Sequence, residues 1–159
     1  QLKAFRDLAD MVLDTSDYTV HQLREFVTQR FGSPKEKDRL RINLKSFGYR
    51  NGVPQDSDLV LDVRFLSNPF FQDGLRDMDG RTDEVKGFLR QDQGWAEFLD
   101  RTGRLLQFLL PRYEREGKSY LTIAFGCTGG KHRSVAVVEE VAGGLRKAGW
   151  PVSVMHRDL

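Results

Sequence analysis

The stretch that most constrains this chain is YLTIAFGCTGGKHRS, residues 120–134. An uncharged apolar run from Leu121 to Phe125 reads as a strand covered on both faces. Glycines then break it, and from Ser134 to Lys147 the apolar residues Val138, Val141, Ala142 and Leu145 recur at helical spacing. A strand, a Gly-rich turn and a helix start gather several backbone N–H groups around one point, and the helix dipole adds about half a positive charge there. Lys131, His132 and Arg133 add cationic side chains, while Thr128 and Ser134 add hydroxyls. This is an oxyanion site, for which phosphate is the commonest ligand. It is not a Walker loop, because Lys131 is followed by His132 and not by Ser or Thr.

The rest of the chain builds an α/β pattern around that unit. Residues 11–15 form a short apolar run, and Ser16 or Asp17 is expected to cap a helix reaching about Gln29. Val20, Leu23, Phe26, Val27 and Phe31 would be its buried stripe. Gly32-Ser33-Pro34 ends it, and residues 35–39 read as a solvated linker. Arg41 to Phe47 alternates with period two and reads as a strand; Leu59 to Phe65 reads as a second, more buried one. Thr82 to Arg90 is a short helix with Val85, Phe88 and Leu89 inward. Trp95 to about Glu116 is a longer one, with Phe98, Thr102, Leu105, Leu106, Leu109 and Tyr113 as its stripe and a kink or early end at Pro111. Gly149 stops the helix after the Gly-rich loop, and Val152 to Met155 is a last short strand. The alternation predicts a mostly parallel sheet with helices on both faces, preceded by an N-terminal helical extension. The expected boundaries are 1–33 for the extension and 34–159 for the main domain.

Composition narrows the function classes. With 25 basic and 23 acidic residues the net charge is +2, too small for the footprint of a basic nucleic-acid arm. One cysteine excludes an internal disulfide framework and a cysteine-rich zinc site, and fits the reducing cytoplasm. No apolar run approaches the roughly 18 residues of a membrane helix, so no membrane partner is expected. The start shows no signal-peptide pattern, and a chain beginning at Gln1 reads as a piece of a longer protein.

Two chemistries compete for the loop. The spacing Cys127-x5-Arg133-Ser134 is that of a cysteine phosphatase, in which a thiolate lowered by the helix start and nearby cations attacks phosphorus. Such an enzyme also needs a general acid, and Asp73, Asp77, Asp79, Asp83 and Asp92 are the acids available upstream. The alternative is a binding site. Asp62 and Arg64 lie two apart near the end of the second strand, on the rim where α/β sheets take their ligands. There they would bond sugar hydroxyls or an amine, or else form a structural ion pair. His156 and Arg157 close the last strand near the same rim, and His21 is read as a surface residue of the first helix. No carboxylate–histidine cluster suggests a metal.

The segments DVRFLSNPF (62–70), LRDMDGRTDEV (75–85) and YLTIAFGCTGGKHRSV (120–135) resemble the C-terminal domain of the RapZ family, the bacterial RNase adapter proteins. Residues 8–27, LADMVLDTSDYTVHQLREFV, resemble the end of that family's nucleotide-binding P-loop domain. The resemblance implies a fold similar to part of phosphofructokinase and a non-catalytic domain without a cofactor of its own. Carried over by position, its ligand site comprises Asp62, Arg64, Asn68, Thr128, Gly129, Gly130, Lys131, His132, Arg133 and Ser134. The implied ligand is a phosphorylated amino sugar such as glucosamine-6-phosphate, or a nucleotide sugar. Small RNA, an endoribonuclease and further copies of the chain are the implied partners of the full-length protein, whose P-loop domain would bind or hydrolyse ATP or GTP. One departure stands out. Phe70 occupies the position after Asn68-Pro69 where the RNA-handling branch has a histidine.

Overall fold

The computed structural model describes residue 9 and residues 11–16, 18–31 and 39–159. The chain divides into two units, Gln1–Lys37 and Asp38–Leu159. In the first, helix α1 spans Val20–Phe31. Its start is set by Thr19, not by Ser16. The Gln22 side-chain carbonyl accepts from the Thr19 N–H at 2.9 Å, and the Gln22 N–H donates to the Thr19 hydroxyl at 3.3 Å, a reciprocal capping box. Residues 11–15 carry no regular secondary structure. The expected stripe is divided: Val20 is 87% and Val27 44% exposed, while Leu23 and Phe26 are half-buried and Phe26 packs edge to face on Tyr18. Asp17 as a cap, the side chains of His21 and Phe31, the stop at 32–34 and the linker at 35–38 lie outside the described residues.

The second unit holds strands β1 (Arg41–Gly48), β2 (Leu59–Asp62), β3 (Tyr120–Cys127) and β4 (Val152–His156). Helices α2 (Asp83–Arg90) and α3 (Gln93–Arg115) join β2 to β3, and α4 (Arg133–Lys147) joins β3 to β4. The sheet order is β2-β3-β1-β4, and every pairing is parallel. Gly48 pairs with Cys127, Asp62 with Gly126 and Ser46 with His156, so the four C-terminal ends share one rim.

The helices were expected on both faces. Here α2, α3 and α4 enter one cluster with Ile42, Leu44, Leu121, Ile123 and Phe125, all from one face. Handedness explains this: β2 to β3 and β3 to β4 both step the same way across the sheet, so two right-handed crossovers lie on the same side. The β1-to-β2 connection steps back the other way and carries no α-helix; its Asp56 meets Lys45 of the second face at 2.7 Å.

Three element boundaries differ from the sequence pattern. β2 stops at Asp62 and not at Phe65, because the Asp62 carboxylate captures the Arg64 N–H at 2.9 Å and turns the chain. Helix α3 buries Trp95, Thr102, Leu106 and Leu110, while Leu105 is 44% exposed and Leu109 half-buried. The two apolar columns differ by a small rotation, and the one containing Leu110 joins the core cluster with the sheet and the other helices. Helix α3 also runs through Pro111 to Arg115. Gln107, whose carbonyl loses its donor to that proline, is exposed and open to water. Helix α4 is buried around most of its girth, with Val135 to Val138 and Ala142 fully enclosed.

Candidate functional site

The rim is tightest where β1 meets the Gly-rich loop. Gly130 has φ +80°, and a Cβ there would lie 2.7 Å from the Gly48 nitrogen and 2.8 Å from the Asp158 Cβ. Only a residue without a side chain lets the loop approach β1 this closely. Arg50, just beyond β1, donates its backbone N–H to the Thr128 carbonyl at 3.3 Å. The chain end braces the same corner. The Asp158 carboxylate accepts from the Gly48 N–H at 2.6 Å, and the Arg157 guanidinium at 2.8 Å holds its pKa below the usual carboxylate range despite burial. His156 bridges the Ser46 hydroxyl at 2.9 Å and Glu139 at 3.0 Å. His156 and Arg157 therefore tie strand ends together and do not line the cavity described below.

Each side chain of the loop has a distinct task. Arg133 is 5% exposed; one guanidinium nitrogen donates to the carbonyls of Arg64 (2.7 Å) and Leu66 (3.1 Å), the other to the Thr128 hydroxyl (3.2 Å). It staples the end of β2 to the start of α4. His132 is also buried, with Nε2 3.1 Å from the Leu75 carbonyl, so Nε2 carries the proton. Burial lowers its pKa from the ordinary imidazole value, and the nearby Lys131 ammonium acts in the same direction. Lys131 donates to the Arg76 carbonyl at 3.2 Å, while its own carbonyl accepts from the Gly80 N–H at 3.0 Å. The buried Cys127 Sγ accepts from the Gly130 N–H at 3.3 Å and lies 3.2 Å from the Ser134 hydroxyl.

A cavity of about 440 Å³ opens above this loop. Of the residues expected at a site, Asn68, Thr128, Gly129, Lys131, His132 and Arg133 line it, together with Cys127. Gly130 and Ser134 lie behind it and shape the turn. Asp62 and Arg64 do not line it. They bind each other at 2.6–3.0 Å, the Arg64 bonds hold the Asp62 carboxyl below its usual range, and Arg64 stacks 4.0 Å from the Tyr49 ring centroid. The structure adds Arg50, Phe70, Phe71, Arg76 and Asp77 to the lining. They come from two other loops; the sequence had marked Asp77 as a candidate acid and Phe70 as a departure, whereas Arg50, Phe71 and Arg76 carried no signal of their own. Among the five candidate acids, Asp79 is held by Arg81, Asp92 caps α3 and Asp83 sits in the first turn of α2. Asp73 lies off the cavity, which leaves Asp77. Among the described residues no group of His, Cys, Asp and Glu is arranged to hold a metal.

A family model described as the RapZ C-terminal domain matches residues 40–159. The chain is a member of the RapZ family. It is 49% identical over its full length to a "Nucleotide-binding protein" of Solibacter usitatus and covers 50% of that protein. A "Nucleotide-binding protein" of Geobacter metallireducens is 51% identical over the whole chain, which covers 56% of it. One from Acidobacterium capsulatum is 47% identical, with 52% covered. The chain thus spans about half the length of these relatives. Among the described residues no helix is long and apolar enough to cross a membrane.

Proposed function

We propose that residues 40–159 are a non-catalytic regulatory domain that binds the phosphate of a phosphorylated amino sugar or nucleotide sugar in the cavity above residues 127–134. The observation that carries this reading is charge. Arg50, Arg76, Lys131 and Arg133 line one cavity against a single carboxylate, Asp77. Arg50 and Arg76 have no ion-pair partner among the described residues. Binding regulates only where the ligand prefers one of two states, and the full-length protein's RNA, endoribonuclease or self-association would be the readout. Those partners are carried over from the family resemblance. At a net charge of +2, RNA binding by this chain is expected to be weak and salt-sensitive.

Asp77 and Cys127 in one cavity favour a second reading, a cysteine phosphatase with Arg133 on the phosphate and Asp77 as acid. A titration with glucosamine-6-phosphate, paired with a p-nitrophenyl phosphate assay, separates the two. Saturable binding without phosphate release, kept in Cys127→Ser and weakened in Lys131→Ala, supports the binding domain. Phosphate release abolished by Cys127→Ser overturns it.

A further inference from the structure

Four features outside the Gly-rich loop remain after the site is described: Phe70, Phe71, Arg76 and Arg50. Phe70 is 43% and Phe71 81% exposed, an unusual cost for two adjacent large apolar rings beside a polar cavity. Their placement is built. Asn68 caps their turn by accepting from the Phe70 N–H at 3.3 Å, and the buried Pro69 anchors it from below. The rings stand edge to face with centroids 5.5 Å apart. The Arg76 guanidinium lies 4.6 Å from the Phe70 centroid, and its backbone carbonyl is held by Lys131 of the loop. A cationic and aromatic wall, with Phe71 at right angles to Phe70 and Arg76 over Phe70, is thereby tied directly to the anion-binding loop. Aromatic rings and guanidinium planes are the groups on which nucleobases stack. On the other wall, Arg50 is anchored through its backbone to Thr128, and its guanidinium carbon lies 3.9 Å from where a Cβ on Gly129 would be. It is positioned for an anionic group next to the first phosphate.

We infer that this cavity selects a free nucleoside diphosphate group, as the nucleotide or as its sugar ester, over a simple sugar phosphate. One phosphate sits at residues 128–133, the next meets Arg50, and the base stacks on the exposed Phe71 ring beside Arg76. The inference rests on the reading of the cavity as an anion site and names the class of ligand it takes. Phe70, through Arg76, positions the stacking surface.

Calorimetric titration of the 159-residue chain with UDP, ADP, glucosamine-6-phosphate and inorganic phosphate tests it. UDP or ADP is expected to bind at least tenfold tighter than glucosamine-6-phosphate. Phe71→Ala is expected to weaken the nucleotides about tenfold, the effect of one lost stacking partner, and to leave inorganic phosphate within twofold. Arg50→Ala is expected to reduce UDP more than UMP. Phe71 is almost wholly exposed, so its loss does not threaten folding. Glucosamine-6-phosphate binding as tightly as the nucleotides, or Phe71→Ala weakening phosphate equally, overturns the inference and leaves the anion site standing. A 5′-phosphorylated dinucleotide binding tighter than the mononucleotide of its 5′ base overturns the free-nucleotide form. Failure of every probe, inorganic phosphate included, removes both readings.

Discussion

Helices α2 and α4 begin in opposite ways. Helix α2 neutralises its own positive end: the Thr82 hydroxyl accepts from the Val85 N–H, and Asp83 and Glu84 occupy the first turn. Helix α3 behaves like α2, with Asp92 accepting from the N–H groups of Gly94 and Ser67. Helix α4 has His132 at the cap position with no side-chain cap, no acid in its first turn, and Arg133 as its first residue. A missing cap costs about 1 kcal/mol, and here cations are added where anions would ordinarily be favoured. The deficit falls at one of the three starts, the one beneath the cavity. A helix start left this way would be stabilised by an anion at that point, so under the proposed function ligand binding and folding stability would be coupled.

The largest way to break the contrast is Arg133→Ala. It leaves the Arg64 and Leu66 carbonyls without their donor in a buried setting, and about 3 kcal/mol should be lost. Urea denaturation measures this, and phosphate affinity should fall with it. Arg133→Lys keeps the charge but not the fork, and is expected to recover less than half of the stability. Gly130→Ala is next. It must adopt φ +80° and meet Gly48 and Asp158, at a cost of about 2 kcal/mol. A smaller loss under both substitutions would show that the loop relaxes and that its shape is not fixed by β1.

Such contacts mark where the sequence stops being informative. β1, β3 and α4 were readable because each carries its own period, and Val138, Val141, Ala142 and Leu145 are buried as that period requires. The phase of α3 was not, since Leu105, Leu109 and Leu110 are equally apolar and only the tertiary core distinguishes them. Residues 127–134 could be read as a unit because they are contiguous. Arg50 and Arg76 reach the cavity from loops 78 and 52 residues before Thr128, brought there because β1 and β2 flank β3 in the sheet. Nothing local records that approach. The Asp62–Arg64 pair shows the converse: its spacing suggested a ligand rim, and the two side chains satisfy each other.

A milder pair of substitutions sharpens the comparison. Thr82→Ala removes the α2 cap and should cost about 1 kcal/mol, with phosphate affinity unchanged. Thr128→Asp does the reverse. It adds a carboxylate five residues before Arg133, the first residue of α4, beside an Arg133 nitrogen that now reaches the Thr128 hydroxyl at 3.2 Å. It should raise stability by up to about 1 kcal/mol and abolish phosphate binding by occupying the loop. If Thr128→Asp still bound phosphate with wild-type affinity, the open start of α4 would not be the anion site.

The smallest effect expected is a pH dependence at His132. Burial lowers its pKa from the ordinary value, so the folded state favours neutral imidazole. Between about 6.5, the unfolded value, and the lower folded value, the unfolded chain binds more protons and stability rises with pH. The contribution is complete above about pH 6.5 and is lost as pH falls towards the folded value. Melting temperature should therefore drop on acidification below that point. His132→Gln, which keeps a donor for the Leu75 carbonyl, should flatten the drop. A phosphate bound beside the ring favours imidazolium and raises the folded pKa. Saturating inorganic phosphate should then narrow the same window, whereas it should leave the His132→Gln profile unchanged in slope. An identical slope with and without phosphate in the wild type would place the anion too far from the start of α4 to be the group that completes it.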